Sequence, residues 1–137
     1  MTRTTTDPND ITFRQCYLDE VLAHRVTTIF RPGKRLCGDS KGYCKGQMVT
    51  VRVVEKVGAD WANVPGLLRD DVAEKAEIIE DPVCMLLGSL TDADFVGSTP
   101  DIHDQQSLKY HLGVVYNLAP DQIDEKTRVT RTTYRYL

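Results

Sequence analysis

The segment from residue 7 to residue 31 constrains the fold of this chain most, because it predicts three successive elements. Ile11 and Phe13 are apolar and suit a short β-strand over residues 11–13, while β-branched residues predict a second strand over residues 26–30. Between them, apolar side chains recur at helical spacing and predict an amphipathic helix that ends near Arg25. Pro32 and Gly33 then end the second strand. The chain therefore opens with a β-α-β unit.

The rest of the chain alternates strands and helices unevenly. Alternating or apolar runs predict strands over residues 48–54, 83–87 and 129–137. Helix-favouring composition predicts an acidic helix over residues 67–79, a short helix after Thr91, and a longer helix over residues 104–116. Such uneven alternation favours an α+β fold, a mixed β-barrel flanked by helices, over a doubly wound sheet.

Size and composition predict one domain over residues 1–137. A chain of this length can bury a sufficient core without disulfides. It has no apolar run of about 18 residues, and its first ten residues lack the apolar core of a secretory signal. We therefore expect a cytoplasmic protein with no membrane association, and nothing in the sequence implies a cofactor.

The four cysteines allow two interpretations. They form no C-x-x-C pair, so in a reducing compartment they are expected to be free thiols in the core or on the surface. The alternative is a zinc or redox loop that uses Cys37 and Cys44 together with a histidine. The spacing does not favour a tetrahedral site, so we predict no metal.

Basic residues cluster although the net charge is −3. Residues 25–45 contain six lysines and arginines and a single acidic residue, Asp39. A local basic segment on an acidic protein suits a small nucleotide or a short RNA better than long duplex DNA. The alternative is a solvated surface loop with no partner.

Several short motifs occur in an order that resembles the ASCH domain, a branch of the PUA-like β-barrels. That family has an apolar strand, a helix, and then a Thr-x-Thr-Ile-Arg pattern, which Thr27 and Arg31 match in part. Later matches are a glycine turn before a valine-rich strand at residues 45–51, Leu-Thr-Asp-x-Asp at residues 90–94, and a Leu…Leu…Tyr helix. The resemblance implies a PUA-like barrel that binds RNA or nucleosides in a cleft beside the opening segment.

A small bacterial branch of that family also begins Pro-Asn-Asp-Ile-Thr-Phe, and some of its members are acetylcytidine amidohydrolases. The branch is thought to use a lysine directly after the helix-ending arginine, a threonine three residues later, and a glutamate ahead of the last helix. Here these positions hold Val26, Ile29 and Asp101. Asp101 is therefore the one catalytic candidate, and loss of an activating base lowers rates by orders of magnitude.

The sequence thus predicts an RNA-, nucleotide- or modified-nucleoside-binding domain with a basic cleft. Cations, a hydroxyl and a stacking aromatic are expected from six residues: Arg25, Thr27, Arg31, Lys34, Arg35 and Tyr43. One alternative is an amidohydrolase or another hydrolase acting on modified nucleosides or RNA. A second alternative is an adaptor that binds a protein partner through the predicted acidic helix.

Overall fold

The computed structural model describes residues 8–55, 67–69, 71–116 and 118–137. These residues form seven strands and two α-helices: β1 Asp10–Arg14, α1 Leu18–Leu22, β2 Thr28–Pro32, β3 Met48–Glu55, β4 Leu67–Leu68, β5 Glu74–Ile78, β6 Val83–Leu86, α2 Gln105–Tyr116 and β7 Arg128–Tyr136. Four 3₁₀ turns lie between them, at Gln15–Tyr17, Leu87–Ser89, Asp92–Phe95 and Pro120–Gln122.

The strands form one mixed, strongly curled sheet in an α+β fold. Its main path is β1-β3-β5-β7-β2, with β4 added beside β3 and β6 beside β7. Only β1 and β3 run parallel among the described strand pairs. Strand β7 pairs with β2 on one side, while β6 and then β5 border its other side. Strand β7 is therefore hydrogen-bonded to neighbouring strands along both of its edges.

Two apolar cores stabilise this arrangement. The first fills the inside of the curl and contains thirteen buried residues, among them Val21, Val51 and Tyr134. The second lies where α2 packs against β2 and β7, and it contains Phe30, Leu108 and Leu112 among others. Helix α2 is thereby anchored to the sheet at β2 and β7.

The predicted helix over residues 67–79 is wrong. The described residues of this segment instead form β4 and β5, and residue 70 lies outside the described part. Ala76 and Ile78 are fully buried, whereas Lys75 and Glu77 are not, which is the alternation of a strand. Pairing of β5 with both β3 and β7 outweighs the helical propensity of its Ala, Glu and Lys residues.

The first helix is shorter than predicted. A 3₁₀ turn occupies Gln15–Tyr17, and α1 ends at Leu22 because the backbone turns at His24, whose φ is 57°. Arg25 therefore lies after the helix. The predicted strands corresponding to β2, β3, β6 and β7, and the helix corresponding to α2, are confirmed to within about two residues at each end.

Among the described residues, no helix combines the length and the apolar composition that a membrane crossing requires.

Candidate functional site

A cleft of about 620 Å³ opens between the curled sheet and helix α2. Strands β1 and β2 form one wall, α2 forms another, and the segment between β2 and β3 covers one side. The polar side chains that line it include Arg14, Arg31, Arg35, Tyr43 and His111. This volume lies within the range of roughly 300–1,000 Å³ that is usual for small-molecule pockets.

Arg31 projects into the cleft from β2. Its Nη2 atom donates to the main-chain oxygen of Thr12 on β1 over 3.2 Å, which fixes the guanidinium across the two strands. Burial opposes its charge, yet the nearby tyrosines, foremost Tyr116 and Tyr43, outweigh burial and raise the pKa of Arg31 above its ordinary value. The guanidinium is therefore positively charged at every physiological pH.

Arg35 adds a second cation at the same place. Its Nε atom donates to the main-chain oxygen of Pro32 over 3.1 Å, and its guanidinium carbon lies 5.9 Å from the centre of the Tyr116 ring. The main-chain nitrogen of Arg35 donates to the Thr130 hydroxyl over 2.9 Å, which ties this part of the loop to β7. A cation–π contact uses none of the N–H groups of the guanidinium, and among the described residues the side chain donates only from Nε.

Within the described part of the chain, neither Arg31 nor Arg35 has a carboxylate partner. Several other arginines of the sheet do have one: Arg52 pairs with Asp10 at 2.9 Å, Arg135 with Glu77 at 2.7 Å, and Arg131 with Asp94. Partly buried charges are normally compensated by an opposite charge. Two guanidinium groups without a carboxylate partner in one cleft therefore make this cleft a candidate site for an anion.

A disulfide between Cys37 and Cys44 closes the loop that covers the cleft. The prediction of free thiols is therefore wrong for these two cysteines and is confirmed for Cys16 and Cys84, while the pairing agrees with a loop that uses Cys37 and Cys44 together. They are neither free thiols nor metal ligands, and the described residues contain no group of three or more His, Cys, Asp or Glu side chains suited to a metal. Gly42 packs so tightly that an added Cβ would lie 2.0 Å from the main-chain oxygen of Leu36. The two cysteines meet because the chain turns back on itself there.

Tyr43 is positioned by this closed loop. Its hydroxyl donates to the main-chain oxygen of Asp10 over 2.7 Å, so that the ring bridges the loop and β1. Burial raises the pKa of Tyr43, and the charges of Arg31 and Arg35 act in the opposite direction. The tyrosine therefore remains protonated and presents an aromatic ring beside both cations.

At the other end of the cleft, the predicted residue Asp101 belongs to a cluster whose other members, Arg14, Tyr17 and His111, were not predicted as site residues. The Tyr17 hydroxyl donates to Oδ2 of Asp101 over 2.7 Å and accepts from Nη2 of Arg14 over 2.9 Å. The same hydroxyl lies 3.4 Å from Nδ1 of His111 on α2. Tyr17 and His111 are separated by 94 positions, so only the folded chain brings them together.

The protonation states of this cluster follow from its surroundings. Burial, followed by the hydrogen bond to Asp101, raises the pKa of Tyr17, which stays a neutral phenol. Burial alone would raise the pKa of Asp101, but hydrogen bonding to the carboxylate, foremost from the Tyr17 hydroxyl, outweighs burial and lowers that pKa. Burial and the positive charge of Arg14 lower the pKa of His111 to about 4. At neutral pH Asp101 is ionised and His111 is uncharged.

We expect the free energy of unfolding to rise between about pH 4 and pH 6.5 because of His111. Its pKa is about 4 in the folded protein against 6.5 ordinarily, so the unfolded chain binds more protons in this interval and acid favours unfolding. Urea denaturation at several pH values measures the effect. In the His111→Asn variant, the free energy of unfolding should rise less over this pH interval. The control variant His103→Asn, which replaces an exposed histidine, should show the same rise as wild type. An unchanged rise in His111→Asn would show that His111 does not cause the pH dependence.

The remaining predicted residues lie outside the lining of the cleft. Arg25 is exposed and lies 3.8 Å from a carboxylate oxygen of Glu20, and Lys34 lies 3.8 Å from Asp39. Thr27 donates its main-chain N–H to the Gly97 oxygen over 2.8 Å and supports that turn. The structure thus brings together Arg31, Arg35 and Tyr43 from the predicted set. Asp101 lies outside the lining and is hydrogen-bonded to Tyr17, which does line the cleft.

Comparison with known proteins gives little further information. No family model matches the chain, and no curated protein matches it. Among solved structures, it is similar to protein EF3133 from Enterococcus faecalis V583, which is described by the family model DUF984. That similarity has 9% sequence identity and a TM-score of 0.49, and it covers 87% of this chain and 68% of the other. A likeness at this level does not establish a family.

Proposed function

We propose that this chain is an ASCH-type, PUA-like module that binds a nucleotide, either free or as part of a short RNA. The observation that carries the proposal is the pair Arg31 and Arg35, two cleft cations without a carboxylate partner among the described residues. Guanidinium groups match the geometry of a phosphate and bind it by charge-assisted hydrogen bonds. The curled sheet and the position of the cleft beside β1 and β2 support the module type.

Aromatic residues next to the cations favour a nucleotide over inorganic phosphate. Tyr43 and Tyr116 both line the cleft, and the Tyr43 hydroxyl is close enough to Arg31 and Arg35 to interact electrostatically with both. An unpaired base gains about 1–3 kcal/mol by stacking on an aromatic side chain. We infer that the phosphate contacts Arg31 and Arg35 while the sugar and base extend toward the tyrosines and α2.

Binding is favoured over the amidohydrolase chemistry of the resembling branch. At the positions where that branch has lysine and threonine, Val26 and Ile29 are 1% and 3% exposed and belong to the apolar core. Neither side chain can activate a nucleophile. The adaptor alternative depended on an acidic helix over residues 67–79, and the described residues of that segment form strands.

A ligand panel tests the proposal. We expect nucleoside 5′-monophosphates to raise the melting temperature more than the matching nucleosides or inorganic phosphate do, because only the nucleotide engages both the cations and the aromatic rings. Calorimetric titration then gives the affinities. A short single-stranded RNA, assayed at low and moderate salt, shows whether the nucleotide is bound within a strand. Equal responses to nucleoside and monophosphate, or no response to either, would contradict the proposal.

A further inference from the structure

The cluster at the α2 end of the cleft fixes the position of each of its protons. Tyr17 has one hydroxyl proton, and the 2.7 Å contact with the ionised Asp101 uses it. Arg14 has only donors, so its 2.9 Å contact uses one lone pair of the Tyr17 oxygen. Toward His111, the tyrosine oxygen can therefore offer only its remaining lone pair.

This arrangement selects one tautomer of His111. At 3.4 Å from an oxygen that can only accept, Nδ1 must carry the ring proton. The proton of a neutral imidazole resides on one nitrogen, so Nε2 holds a lone pair. In the described part of the chain nothing hydrogen-bonds to Nε2, although His111 is partly buried and lines the cleft. Nε2 is therefore an acceptor in the cleft wall without a partner among the described residues.

The charges around the ring keep this acceptor from becoming a donor. Arg14 and Arg31 are both near enough to act on His111, and together with burial they oppose a positive imidazolium. The negative charge of Asp101 favours the imidazolium, but it is too weak to offset burial and the two arginines. Over the physiological range the ring therefore offers a hydrogen-bond acceptor and no second donor.

We propose that Nε2 of His111 accepts a hydrogen bond from an N–H group on the base edge of the bound nucleotide, and that Asp101 and Tyr17 are positioning residues that hold the imidazole in this tautomer. The inference rests on the proposed nucleotide function and adds a rule for its specificity. The site favours bases that present an exocyclic amino or a ring N–H group at that edge. It disfavours bases that present only an acceptor there, because two facing acceptors leave both unsatisfied.

The tautomer can be tested without any ligand. Long-range ¹H–¹⁵N correlation spectra of the free protein should show the His111 proton on Nδ1 throughout pH 6–8. In Tyr17→Phe, which keeps the ring but removes the hydroxyl, this preference should be lost. His103, which is exposed, serves as the internal reference in the same spectra. A wild-type His111 with its proton on Nε2 overturns the inference whatever the protein binds.

Two substitutions then test the acceptor itself. Asparagine at position 111 can place an amide donor near the Nδ1 position but has no group at the Nε2 position, whereas glutamine can place its amide oxygen there. With the ribonucleoside 5′-monophosphate that binds wild type best, we expect His111→Asn to weaken binding about 3- to 10-fold and His111→Gln to weaken it less. Binding of inorganic phosphate should be unchanged in both variants.

The outcomes separate this inference from the function on which it rests. If a nucleotide binds wild type and both variants equally well, the acceptor role is wrong and the nucleotide site remains. If His111→Asn weakens inorganic phosphate as much as the nucleotide, His111 acts only on the shape or charge of the site, and the inference is also overturned. If no nucleotide binds the wild type, the proposed function itself fails.

Discussion

We expect Arg31→Gln to lower the affinity of the cleft for a nucleoside monophosphate by about 10- to 100-fold, the range that follows from losing a charge-assisted hydrogen bond. Glutamine retains a polar side chain but has neither the charge nor the forked geometry that holds a phosphate. The fold should persist, because the Arg31 side chain donates to the main-chain oxygens of Phe30 and Thr12 and, within the described residues, has no carboxylate partner that its loss would leave unpaired. Isothermal titration calorimetry measures the loss.

Arg25→Gln is the matched control for this experiment. Arg25 belongs to the same basic segment and carries the same charge, but it is exposed, lies outside the cleft lining and is near Glu20. The net charge of the two variants is identical, so a general electrostatic effect would appear in both. Equal losses in both variants would show that the overall field, rather than the cleft, holds the ligand.

Replacing both Cys37 and Cys44 by serine should lower the free energy of unfolding by about 2.5 kcal/mol, as loop-closure entropy predicts for a bridge across seven positions. Nucleotide affinity should fall as well, since Asp39, Ser40, Lys41, Gly42 and Tyr43 lie within the bridged loop and line the cleft. Without the covalent link, binding must also order this loop. Denaturant titration and calorimetry measure the two effects.

Cys16→Ser provides the control for the loss of a thiol or sulfur atom. Cys16 is exposed and free, so its substitution should change neither quantity by more than a few tenths of a kcal/mol. Treatment of the wild-type protein with a reductant should reproduce the behaviour of the double serine variant. Unchanged stability after reduction would mean that the bridge does not constrain the unfolded chain.

The sequence predicted the strands of this fold where side chains alternate clearly. In β3, Val49, Val51 and Val53 are buried in the core and alternate with Thr50, Arg52 and Val54, a pattern that is visible in the sequence alone. In β5 the same alternation is carried by alanine and charged residues, which favour helices as isolated segments. Residues 74–78 form a strand because β5 pairs with β3 and β7, and these long-range contacts cannot be predicted from the helix propensity of the segment itself.

In the candidate site too, residues that are close in sequence could be predicted together, whereas contacts between residues distant in sequence could not. Arg31, Arg35 and Tyr43 belong to one basic segment, so charge clustering was enough to select them as candidates. No motif in the sequence links Tyr17 to His111, because their contact joins positions 94 apart. The disulfide was missed for a related reason: the spacing of Cys37 and Cys44 does not reveal that the intervening turn brings their Cα atoms to 4.6 Å.

The shared position of β7 has a consequence for when the protein can fold. Strands β2, β5 and β6 all hydrogen-bond to β7, and β7 is the last strand of the sheet in chain order. During translation these three strands leave the ribosome before their common partner exists. Closure of the curl must therefore wait until residues 128–136 have emerged, and the sequence-distant pairings that complete it are of the kind that slows folding.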